Sequence, residues 1–315
     1  MLAAAQPNRP LDVWAFQAHP EVWLLIGALA ASFIYAYRVI GPHAVPPGER
    51  RVTGRQWAWF SCGLLLLWGA SDWPLHDVGE RYLYSMHMLQ HMLLSYFIPP
   101  MLLLATPTWL ARLVVGQGRG YRVLCLLTKP VVAGVLFNGT VMVTHIPGLV
   151  NTAVEPGRAN GLLHYGLHFI LLITALLMWM PVCGPLPERR ISSGASMIYL
   201  FAQSVVPTVP AGWLTFAEGA VYKAYDFASP RVWGFSVTED QQLAGVIMKI
   251  GGSVFLWSIV TVLFFRRFMH NWEAENTSFV RMAPAPVEPT PEPALTFEDV
   301  SKVFDTTAAP QEPVR

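Results

Sequence analysis

The sequence predicts an all-α integral membrane protein, a bundle of about seven transmembrane helices. Three observations carry that prediction. Hydrophobic residues make up 53% of the chain and charged residues only 13%, against about 25% charged in ordinary soluble domains. Apolar stretches of spanning length recur along it. Lys and Arg gather in alternate connections.

The stretches fall near residues 22–40, 56–73, 84–106, 130–147, 162–181, 195–214 and 243–265. Each approaches the roughly 20 apolar residues that cross a bilayer as a helix. The connection after the first carries Arg38, Arg50, Arg51 and Arg55. That after the third carries Arg112, Arg119, Arg122 and Lys129, that after the fifth Arg189 and Arg190, and the last stretch is followed by Arg266 and Arg267. Basic residues mark the cytoplasmic side. The expected topology therefore has the N-terminus outside and the C-terminus in the cytoplasm. The expected organisation is an extracytoplasmic segment over 1–20, a transmembrane domain over 21–270, and a disordered Pro-rich cytoplasmic tail over 271–315. Within that tail, "LTFEDVSKVF" has the pattern of a short helix, either a docking peptide or a solubilising segment.

The N-terminus lacks a basic start leading into an apolar run, so no cleavable signal peptide is expected. A net charge of +1 argues against nucleic acid as a partner. The 12 Trp suit membrane interfaces. Cys62, Cys125 and Cys183 form no CxxC motif, which argues against a disulfide framework or a thiolate metal box.

The topology sorts the nine histidines. His43 and His270 fall on the cytoplasmic side, and His19 and His76 lie outside near the interface. His87 and His91 sit in the first turns of the third stretch, His145 in the last turns of the fourth, and His164 and His168 in the first turns of the fifth. These five share the outer leaflet. Residues four apart lie on one helix face, so His87/His91 and His164/His168 are two pairs that could together hold one metal or two close metals. One HxxxH alone would be a weak signal, since interface and packing roles compete with it. Ionisable residues inside a membrane are costly and point to function.

Methionines flank these positions. Met88 follows His87, and Met248 lies two turns into the last stretch. Thioether beside imidazole favours Cu(I), although Met is also a common core filler. Zinc is the alternative ion. Asp240, at the start of the last stretch, is either a helix-start residue suited to the dipole or a ligand or orienting partner of an imidazole. Lys249 inside that stretch needs a partner or a cavity, with Glu218 and Asp226 as candidates. Pro99, Pro100, Pro207 and Pro210 predict kinks. Asn138, Thr144 and Gln203 read as interhelical hydrogen-bonding residues.

Three stretches, "HMLQHMLLSYFIPPMLLLATP", "HYGLHFILLITALLMWMP" and "DQQLAGVIM", in this order and in a multi-span chain, resemble the CtaG-type assembly factors of caa(3)-type cytochrome c oxidases. The resemblance covers roughly residues 20–270. It implies a membrane factor in the bacterial cytoplasmic membrane that helps mature the oxidase, with oxidase subunits as partners, lipid as surroundings, and copper as the ion handled. The family positions fall on His87, Gln90, His91, His145, His164, His168, Asp240, Gln241 and Met248. Lys249 departs from the family, which usually has an aromatic residue there. Two other readings compete with a non-enzymatic copper factor: a seven-span zinc hydrolase, which needs an open coordination position and a general acid or base, and a haem protein. The sequence sets no oligomeric state.

Overall fold

The computed structural model describes residues 13–154, 158–226, 231–282 and 296–306. Among them all regular structure is helical. In chain order the elements are α1 (Pro20–Ala44), α2 (Gly54–Ser71), α3 (Leu75–Arg81), α4 (Tyr84–Ala105), α5 (Thr108–Val115), α6 (Arg119–Leu127), α7 (Pro130–Thr144), α8 (Pro147–Val154), α9 (Arg158–Cys183), α10 (Ser193–Thr215), α11 (Val237–Glu273) and α12 (Phe297–Thr306). Five of these, α1, α4, α9, α10 and α11, are long and apolar enough to cross a membrane. A sixth span results if α6 and α7, bent by 72° at their junction, count as one. The expected seventh, α2, is a full 18-residue helix. Arg55 and Gln56 in its first turn lower its apolarity, so by length and composition it falls outside this set.

The chain divides into two compact units, Met1–Arg266 and Arg267–Arg315. In the second, the final segment of the last long helix reaches Met282, past the tail boundary at 271 read from the sequence. The short helix expected within "LTFEDVSKVF" forms as α12, with the Asp299 carboxylate accepting from the Thr296 backbone N–H and hydroxyl. The Pro-rich stretch 283–295 lies outside the described residues.

Local sequence explains the ends of the spans. Pro20 and Pro130 open α1 and α7, where a missing N–H costs nothing. Capping boxes at Thr53/Gln56 and Ser236/Glu239 open α2 and α11. In α4, Pro99 and Pro100 offer no N–H to the preceding turn, which widens into a π-helical turn over Leu93–Phe97. The Ser95 carbonyl instead accepts the Trp179 indole N–H at 3.0 Å, tying α4 to α9. The break expected at Pro207 is present between Val205 and Thr208.

The core runs along α4, α7, α9, α10 and α11 and is built from Tyr84, Met88, Phe137, Met178, Trp179 and Leu200, among others. Across it Asn138 Nδ2 donates to Gln203 Oε1 at 2.6 Å, joining α7 to α10. Thr144 differs from the expectation: its hydroxyl donates to Val141 O in its own helix. Lys249 pairs with neither Glu218 nor Asp226; its ammonium donates to Thr208 Oγ1 at 2.6 Å. A flexible lysine stem reaches the nearest polar group opened by the broken α10 rather than climbing to the loop.

The connections rich in Arg meet one another. Trp109 Nε1 donates to Arg51 O, Arg189 to Cys125 O, and Arg112 lies 3.5 Å from Glu188. The first, third and fifth connections of the expected topology thus share one end of the bundle. His87, His91, His145, His164 and His168 gather toward the opposite helix ends.

Candidate metal centre

The spacing of four puts His87 and His91 on one face of α4, and His164 and His168 on one face of α9. The two faces meet. The ring centroids of His87 lie 5.2 Å from those of both His164 and His168. His91 is 4.8 Å from His168 by ring centroid, and their Nε2 atoms are 3.0 Å apart. One nitrogen from each of His87, His164 and His168 falls within 4.8 Å of the others. Ligand atoms about one ion with metal–nitrogen bonds of roughly 2 Å stand about 3–4 Å apart, so the rings would close by a small further approach on binding.

Unmet hydrogen bonding marks the same place. His87 Nδ1, His164 Nε2 and His145 Nε2 are buried and have no hydrogen-bond partner among the described residues. Buried polar atoms are normally paired, so three bare imidazole nitrogens in one cluster fit a site made for a cation. His145 shows how a tautomer is set. Its Nδ1 donates to Val141 O at 2.6 Å, which leaves the Nε2 lone pair free. His145 stands 6.0 Å from His91 by ring centroid, at the edge of the group. The cavity among these rings holds about 20 Å³, room for an ion or a water but not for an organic substrate.

The other predicted residues take different places. Asp240 lies outside the imidazole trio, and its carboxylate accepts from Tyr84 N at 2.7 Å, Ser85 N at 3.1 Å and Ser85 Oγ at 2.5 Å. It does act at a helix start, but that of α4 rather than its own, so it fixes the turn from which His87 projects. Gln241 accepts from Val221 N and Tyr222 N and donates to Tyr222 O; Gln242 donates to Ala217 O. The Tyr222 hydroxyl then reaches His145 O at 3.0 Å. The whole DQQ stretch is a brace that holds the loop before α11 against the histidine helices. Met88 and Met248 are fully buried in the apolar core cluster with Tyr84 and Met92.

Sequence reasoning missed His76, His19 and their carboxylate partners. Residues 75–81 fold as α3 and pack directly on α4. A Cβ on Gly79 would sit 2.8 Å from His87 N, so only glycine permits this approach. It carries His76 to 5.9 Å from His164 and 5.2 Å from His19 by ring centroid. Gln90 Nε2 lies 3.2 Å from His76 Nδ1, and Glu80 Oε2 3.4 Å from His76 Nε2. Burial lowers the His76 pKa and keeps the ring neutral. Burial also acts to lower that of His19, but the hydrogen bond and charge of Asp77, 3.0 Å away, with help from Glu21, outweigh it and raise the pKa. The signal that could have found His76 was its side of the membrane, shared with the five others.

A family model for the cytochrome c oxidase caa3 assembly factor matches residues 29–269. Among curated proteins, uncharacterized proteins of Mycobacterium bovis and Mycobacterium tuberculosis are each 27% identical over 259 residues, covering 76% of this chain and 37% of the relative. One of Mycobacterium leprae is 26% identical over 262 residues, covering 76% and 38%. The chain therefore matches well under half the length of these relatives. No solved structure matches it. The match to the family model spans most of the chain and includes His87, His91, His145, His164 and His168: the chain belongs to the cytochrome c oxidase caa3 assembly factor family.

Proposed function

We propose that this protein is a non-enzymatic, copper-handling assembly factor, multi-pass in the bacterial cytoplasmic membrane. It binds Cu(I) at the His87–His164–His168 trio and passes it to an oxidase subunit. The observation that carries this reading is the trio itself, His87 and His164 buried and His168 partly so, with ligand atoms within 4.8 Å of one another. All three are neutral ligands in a low-dielectric setting. The cost of burying an ion rises steeply with its charge, which favours a monovalent ion over Zn²⁺ there. Imidazole suits both metals, so charge makes the difference. His91 and His145 stand beside the trio as exchange ligands, and Met88 and Met248 supply soft, polarizable packing nearby. In this reading α2 completes seven spans, the histidine end faces outside, and the basic end faces the cytoplasm by the positive-inside rule.

The zinc-hydrolase alternative requires a free general acid or base and room for substrate. Asp240, its candidate, spends both oxygens on Tyr84 and Ser85. The test is metal content and competition on purified protein, for the natural chain and for H87A/H91A and H164A/H168A. The expected result is Cu(I) retained against a chelator by the natural chain and lost in both doubles. In cells, H87A/H91A should keep its membrane level by immunoblot while oxidase activity falls at limiting copper. Zinc held at unit stoichiometry with no copper uptake would replace this reading by the hydrolase.

A further inference from the structure

Seven imidazoles form one continuous file. By ring centroid the steps are His19 to His76 at 5.2 Å, His76 to His164 at 5.9 Å, His164 to His168 at 4.3 Å, His168 to His91 at 4.8 Å and His91 to His145 at 6.0 Å, with His87 touching both His164 and His168 at 5.2 Å. The file is chemically polarised. Its first members carry carboxylates: Asp77 on His19 at 3.0 Å, Glu21 on His19 at 3.3 Å and Glu80 on His76 at 3.4 Å. The grouping found at its centre is imidazole alone. We infer that His76 is a relay ligand by which an incoming metal cation reaches the His87–His164–His168 trio, entering at half-exposed Glu21 and the His19–Asp77 pair behind it. This rests on the reading of the trio as a metal site.

His76 stacks on Tyr165 and meets Gln90 through Nδ1, but these contacts leave its second nitrogen unused. It is 1% exposed, and its Nε2 makes no hydrogen bond among the described residues while facing Glu80 Oε2. Gln90 Oε1 is likewise buried and unpartnered. A cation shared between His76 Nε2 and Glu80 would satisfy both groups. With the amide of Gln90 turned, Oε1 would accept from Nδ1–H and leave the Nε2 lone pair for the ion. A cation held there is one imidazole away from His164, close enough for stepwise ligand exchange. The neighbouring cavity of about 500 Å³ also touches His76 and His168, but Val22, Leu25, Leu67 and Phe169 are among its walls. An ion stripped of water against such surface pays heavily, whereas the carboxylates at the mouth attract it.

A relay changes rate and leaves equilibrium alone. The full chain in lipid nanodiscs would be mixed anaerobically with copper(I) as its acetonitrile complex, and unbound ion trapped by bicinchoninate at timed intervals. Expected are unchanged stoichiometry and affinity in His76→Gln, with loading slowed about tenfold or more. Asp77→Asn should slow loading less. Should His76→Gln not fold, His19→Gln/Asp77→Asn tests the mouth, with slowed loading again expected. Loading at the natural rate in these variants overturns the relay while leaving the trio intact. Loss of equilibrium binding in His76→Gln overturns it too, by making His76 part of the trio's own site. No uptake by the natural chain overturns the trio and the relay together.

Discussion

Two polar clusters sit side by side at one end of this bundle, and they are built on opposite terms. In the DQQ stretch, both oxygens of Asp240 and both ends of the Gln241 amide are hydrogen-bonded. In the imidazole cluster, nitrogens of His87, His145 and His164 have no partner among the described residues. A saturated buried group stabilises the fold, and losing it exposes its partners to the full cost of burial. An unsaturated one contributes little or negatively to the metal-free fold and waits for a ligand. Substitutions that separate fold from binding therefore test the distinction directly.

The largest effect is expected from Asp240→Ala. It removes the acceptor of three hydrogen bonds and leaves the first turn of α4 with unmet donors. Hydrogen bonds to a charged group contribute about 1.5–3 kcal/mol each, so a loss of several kcal/mol is expected. Thermal unfolding in detergent should show a large drop, and immunoblot a depleted membrane level. Asp240→Asn keeps the shape and one acceptor and should recover part of the loss. An Asp240→Ala chain that folds normally but fails to hold metal would place Asp240 among the ligands instead.

Gly79→Ala comes next. The added Cβ would meet backbone atoms of His87 at 2.8 and 2.9 Å, and backbone cannot step aside as a flexible side chain does. Overpacking of this kind costs about 1–3 kcal/mol. It should also push α3, and with it His76, away from α4. The expected signature is a moderate fall in thermal stability with metal stoichiometry retained, since the trio is carried by α4 and α9.

These two positions mark what the sequence could and could not disclose. The i, i+4 histidine pairs were legible because helical period and membrane side are properties of the chain read locally. Their union across α4 and α9 followed from topology. The job of Asp240 was not legible, because the backbone it caps lies far away in sequence at Tyr84 and Ser85. A charge at the start of α11 looks the same whether it serves its own helix or another. His76 was assigned to the same side as the five others yet set aside as an interface residue. Only the tight crossing at Gly79 carries it inward, and nothing near "LHDVGERY" announces that crossing. Lys249 failed for the same reason: its partner Thr208 depends on the break in α10. The methionines were legible as residues beside the histidines in the chain, but their packing in the apolar core depends on helices far apart in sequence.

The smallest effect on the fold is expected from His164→Leu, and it is the most decisive for the contrast. Leucine nearly matches the imidazole in volume, so the substitution leaves no large cavity. It removes a buried nitrogen without a partner, whose burial costs about 1–3 kcal/mol, and gives up ring contacts with His168 at 4.3 Å and His87 at 5.2 Å. Aromatic pairs of this kind are worth about 0.5–1.5 kcal/mol, so gain and loss nearly cancel. The metal-free variant should unfold within about 1 kcal/mol of the natural protein, on either side. The loaded proteins should differ far more, because a ligand bound only by the folded state adds stability in proportion to the logarithm of its concentration over its dissociation constant. Copper(I) should raise the melting temperature of the natural chain and leave that of His164→Leu unmoved. A loss above about 3 kcal/mol without metal would make His164 a structural residue like Asp240, and the contrast between the two clusters would fall.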